Sequence, residues 1–65
     1  MDIANLIVDR VEAKINWIQA EGRSSTTYDM TFVDPDIRDA VVEKLRQRSY
    51  QVNYLSMTRN LSIRW

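Results

Sequence analysis

Residues 50–54, Tyr50-Gln51-Val52-Asn53-Tyr54, and residues 61–65, Leu61-Ser62-Ile63-Arg64-Trp65, decide the fold of this chain. In each run apolar and polar side chains alternate, which is the period of a half-buried strand. Ser56 to Arg59 between them reads as a turn, so the two runs form a hairpin. The final residue falls inside the second strand, which places Trp65 in the core or at its rim.

Upstream of the hairpin, Asp34 followed by Pro35 is an N-cap and first-turn proline, the paired signal for a helix start. Ile37, Ala40, Val41 and Leu45 then recur at helical spacing. Lys44, Arg46 and Arg48 put positive charge where the helix dipole favours it. This helix is expected from about Pro35 to Arg48. Before it, Thr26 to Val33 alternates again, with Tyr28, Met30 and Phe32 on one side and Thr27, Asp29 and Thr31 on the other, so a strand is expected there.

The leading segment, Asp2 to Ala20, is a second amphipathic helix. Its residues Ile3, Ala4, Ile7, Val8, Val11, Ile15 and Ile18 fall within an arc of roughly 140 degrees. Gly22, the only glycine in the chain, stands where a left-handed helix stop belongs. Arg23, Ser24 and Ser25 make a short polar connection.

The expected fold is therefore α+β, with elements in the order α-β-α-β-β. A strand-helix-strand connection of this length predicts a crossover to a parallel strand, and the hairpin adds an antiparallel one, giving a small mixed three-stranded sheet. The strands supply one apolar face, so both helices pack on that face and the other stays polar.

Sixty-five residues make one domain, and a chain this short buries only roughly 60% of the surface it exposes when unfolded. There is no cysteine and no histidine. Disulfides, thiolate nucleophiles and the common structural zinc sites are thereby removed, together with the side chain best placed to move protons near neutral pH. Self-association is the most available supplement to so small a core.

With a single glycine no glycine-rich phosphate loop can be built. Asp34, Asp36 and Asp39 match no EF-hand spacing and are explained by helix capping and dipole compensation. The sequence thus points to no catalytic residue, no cofactor and no metal, and a non-enzymatic binding module is expected. No apolar run approaches the roughly 20 residues that span a bilayer, and the acidic polar face of the first helix is unlike a membrane-surface helix. A cytoplasmic setting without membrane association is expected.

Two surfaces stand out as candidate sites. Leu6, Ala13 and Trp17 lie off the core stripe of the first helix, beside Arg10, and form a second apolar sector suited to self-association or to a protein partner. The second candidate is electrostatic. The chain is formally neutral with nine acidic and nine basic residues, yet every acid lies at or before Glu43. Lys44, Arg46, Arg48, Arg59 and Arg64 follow with no carboxylate among them. Such a basic surface supports a nucleic-acid reading as the alternative, against which stand the overall neutrality and the inward-facing Tyr54 and Trp65.

The two C-terminal runs and the element order resemble a loose class of short accessory proteins encoded by tailed bacteriophages. These have a leading amphipathic helix, a strand, a second helix, an aromatic-led strand and a terminal strand closing on tryptophan. Here Ser49 stands where glycine is usual before the aromatic. The resemblance implies a cytoplasmic accessory protein of infection and host takeover that docks on a host or phage protein, and it supplies no catalytic residues.

Overall fold

The computed structural model describes residues 2–65. The first helix, α1, runs Ile3–Ala20 and is capped by Asp2, whose Oδ1 accepts the Asn5 N–H at 3.3 Å. It ends on Gly22, at φ 83°. There the Gly22 N–H donates to the Gln19 carbonyl at 2.9 Å and the Arg23 N–H to the Ile18 carbonyl at 3.3 Å. This bond pair is the glycine-terminated turn that the sequence signals.

Strand β1 spans Ser25–Asp29, helix α2 Pro35–Gln47, β2 Gln51–Leu55 and β3 Asn60–Arg64. Pro35 takes the first helical position of α2, and the Asp34 side chain, although at the cap position, makes no capping bond. The C-terminal turn of α2 repeats that of α1: the Ser49 N–H donates to the Arg46 carbonyl at 3.0 Å and the Tyr50 N–H to the Leu45 carbonyl at 3.3 Å. Ser49 occupies the left-handed position at φ 72°, so the residue that departs from glycine in sequence carries the backbone conformation glycine prefers.

The α+β class, the element order and the packing of both helices against the sheet are as expected. The sheet itself corrects the sequence reading. Its order is β1-β3-β2, and both pairings are antiparallel. β1 and β2 do run in the same direction across α2, as the connection predicts, but β3 inserts between them and no parallel pair forms. The sheet is antiparallel, not mixed, because the hairpin strand takes hydrogen bonds on both its edges.

Register fixes the faces. Tyr28, Leu61 and Tyr54 are aligned across the sheet, as are Thr26, Ile63 and Val52; these rows lie under the helices. Val8, Val11, Val41, Leu45, Leu61 and Ile63 are fully excluded from solvent and form one cluster with Ala4, Ile15, Met30 and Val52. Trp65 is half-buried at the rim of that cluster.

Two further expectations are corrected. Strand β1 stops at Asp29 rather than continuing to Val33, and Phe32 is 97% exposed instead of facing the core. The cause is local. Asp29 Oδ1 accepts both the Thr31 N–H at 2.9 Å and the Thr31 hydroxyl, and the Val33 N–H donates to the Met30 carbonyl. The chain therefore turns at the residue where alternation would have continued. Ile3, assigned to the core stripe of α1, is the first residue of the helix, and it is 52% exposed.

Candidate functional site

The core-facing residues of α1 are Ala4, Val8, Val11, Ile15 and Ile18. At 3.6 residues per turn, Leu6, Arg10, Ala13 and Trp17 project away from them. All four are exposed, with Trp17 at 68% and Leu6 at 42%. No neighbouring element covers this sector, so the structure brings together on one open helix face the four residues singled out from sequence.

The basic residues are not brought together in the same way. Lys44 lies 4.0 Å from the Asp2 carboxylate, Arg48 pairs with Glu12, and Arg46 donates to the Val52 carbonyl at 2.9 Å. These three tie the end of α2 to α1 and to β2. Arg59 sits in the hairpin turn at φ 56°, and Arg64 is at the far end of β3, about 17 Å away at the rise of an extended chain. Arg64 is paired in register with Gln51, just past the end of α2, so Arg59 is the one of the five that stands apart. The ring of Tyr54 is also covered, with the Arg38 guanidinium 4.2 Å from its centroid.

The Met30 N–H donates to Arg59 and the Trp65 N–H to Ser24, so in this register Ser24, Thr26, Tyr28 and Met30 bond to the central strand. Ser25, Thr27 and Asp29 then direct their N–H and C=O groups outward. By the same alternation Val52 and Tyr54 point outward from β2. Each edge is met by one cation from a helix. Lys14 of α1 donates to the Thr27 carbonyl at 2.5 Å, and Arg46 of α2 to the Val52 carbonyl. A lysine or arginine laid across an edge carbonyl opposes pairing with another strand.

Between the C-terminal half of α1 and the edge of β1 lies an open groove of about 590 Å³. Lys14, Arg23 and Arg64 supply its charge, Ser25, Thr26, Thr27 and Ser62 its hydroxyls, and Trp17 one wall, with no carboxylate in the lining. Among the described residues, none of these three cations is within ion-pair distance of an acid. Lys14 and Arg23 were not singled out in the sequence, because only the fold carries them to Arg64.

Phe32 and Met57, each 97% exposed, belong to the two loops at the opposite end of the sheet, and Leu55, 44% exposed, is the last residue of β2 beside them. The Asp29-x-Thr31 turn signal ahead of Phe32 is the one feature that marks it in sequence. Near it, the two bonds from Thr31, the hydroxyl first and the backbone N–H second, hold the Asp29 carboxyl below its usual pKa. Among the described residues, no three of the Asp and Glu side chains gather as metal ligands do, and no helix is long and apolar enough to cross a membrane.

Comparison with family models, with curated proteins and with solved structures finds no significant match. The functional reading accordingly rests on the surface chemistry of the fold.

Proposed function

We propose that this chain is a small non-enzymatic protein-binding module that self-associates, as a dimer, through the outward face of α1. The observation that carries the reading is the exposed row of Leu6, Arg10, Ala13 and Trp17. An indole left 68% exposed on a helix face between long polar side chains has the composition of an interface core with a polar rim. The guarded edges support the same choice. With Lys14 and Arg46 on the outward carbonyls, sheet extension between copies is opposed, and the helix face is the available route.

In the setting the resemblance implies, the module is an accessory protein of a tailed bacteriophage that docks on a host or phage protein in the host cytoplasm. It needs no cofactor, and its chemistry is recognition. The nucleic-acid alternative has less support, since Lys44, Arg46 and Arg48 are engaged within the fold and Arg59 is remote from Arg64.

Light scattering coupled to size exclusion tests the reading on wild type, Leu6→Glu and Trp17→Ala. Dimeric wild type and monomeric, still folded variants are expected. A wild type that stays monomeric up to high micromolar concentration refutes self-association, and dimers unaffected by either substitution refute this face.

A further inference from the structure

We propose that the free edge of β1 is a docking strand for an acidic, extended segment of a partner protein, whose carboxylates meet Lys14, Arg23 and Arg64. The proposal rests on the reading of the chain as a protein-binding module and names the chemistry of its partner. Three features of the groove converge on that occupant.

The first is charge. Three cations, none of them ion-paired among the described residues, line one cleft with no carboxylate in its lining, which selects a ligand carrying negative charge. The second is the backbone. Ser25 and Thr27 line the cleft, and in this register their backbone groups point away from β3, with the spacing that another polypeptide backbone satisfies by strand addition. The third is Lys14. Its ammonium sits on the Thr27 carbonyl across the edge, so an incoming strand meets a positive charge there, which a carboxylate on that strand neutralises. Lys14 thus makes the edge selective for acidic strands. The chain's own strands, Ser25–Asp29, Gln51–Leu55 and Asn60–Arg64, hold one carboxylate between them, that of Asp29, so they fit the site poorly.

A nucleic acid is the less favoured occupant. It has no backbone N–H donors for the outward carbonyls, and it would find one indole for stacking on a molecule whose net charge is zero, whereas nucleic-acid binding domains are strongly basic. Trp17 stands where the groove meets the proposed dimer face. Leu6 and Arg10 belong only to that face, and Arg23 and Arg64 only to the groove.

Titration of the ¹⁵N-labelled 65-residue chain followed by NMR tests the proposal. The probes are a capped eight-residue peptide alternating glutamate and threonine, its serine-threonine counterpart, and an eight-nucleotide oligothymidylate. The acidic peptide is expected to give saturable shifts at the Ser25 and Thr27 amides and the Trp17 indole N–H. Its affinity should fall about tenfold in the Arg23→Glu, Arg64→Glu double variant, the sum of several exposed charge pairs. The neutral peptide should bind wild type weakly and gain affinity in Lys14→Met. The spectra themselves report that each variant is folded.

No saturable shift with the acidic peptide up to millimolar concentration overturns the proposal, as do shifts centred on Lys44 to Arg48. Tighter binding of oligothymidylate at the same amides also overturns it and assigns the groove to nucleic acid. Light scattering on the same samples separates the two readings. Dimers that persist while the peptide fails remove the groove alone. Monomers that bind the peptide at Ser25 and Thr27 remove the helix face alone.

Discussion

Gly22 and Ser49 end the two helices in the same pair of hydrogen bonds, at φ 83° and 72°, so reciprocal substitutions measure one backbone cost at two matched sites. A Cβ added at Gly22 meets no atom within 4 Å. Gly22→Ala therefore creates no clash and removes no bond, and what remains is the strain of a side chain in the left-handed region, about 1–2 kcal/mol. The smaller unfolded-state entropy of alanine offsets about half of this, leaving a net loss of about 1 kcal/mol. Ser49→Gly runs the same exchange backward and should gain about 1 kcal/mol, since Ser49 is exposed. A domain of this size has a total stability of about 3–10 kcal/mol, and 1 kcal/mol moves its melting temperature by about 4–8 °C. Urea denaturation followed by circular dichroism should show the two midpoints moving in opposite directions at unchanged slope. A lower midpoint for Ser49→Gly, or an unchanged one for Gly22→Ala, refutes the reasoning.

Leu61, fully buried in the central strand, should cost about 2–5 kcal/mol when changed to alanine, whereas Phe32→Ser should stay within about 0.5 kcal/mol of wild type; thermal melts compare the two. The Glu12 and Arg48 pair joins α1 to the end of α2 with side chains 28% and 48% exposed, so a double-mutant cycle should return no more than about 1 kcal/mol of coupling. Asp29 has its folded-state pKa below its unfolded value, so its bonds contribute stability above the unfolded pKa and lose it as pH falls through the folded one. Thr31→Val removes the hydroxyl and keeps the N–H, and a carboxyl-carbon NMR titration should find the Asp29 pKa partly restored toward the usual value.

Every element was legible in the sequence because each is declared by local chemistry. Gly22 stops α1, Pro35 starts α2, and alternation from Tyr50 to Tyr54 and from Leu61 to Trp65 marks the hairpin. Strand pairing was not legible, because alternation tells which side of a strand is apolar but not which neighbour takes its edge; the antiparallel β1 and β3 pair is a choice between partners far apart in the chain. Phe32 was misplaced because alternation continues past Asp29 in sequence while the Asp29 and Thr31 bonds turn the backbone. The exposed face of α1 could be read from angles alone. The groove could not, since Lys14, Arg23 and Arg64 meet only after β1 has joined β3.

The placement of β3 between the other two strands has a consequence for how the molecule comes together. It is the last of the five elements and the sole bridge of the sheet, so neither β1 nor β2 has a hydrogen-bonding partner until it docks, and β1 must wait across some thirty intervening residues. Closing that distance is the slow entropic step. A fragment cut after Thr58 would keep both helices and two strands yet possess no ladder at all, which makes assembly all-or-none and turns five residues near one terminus into the keystone of the whole.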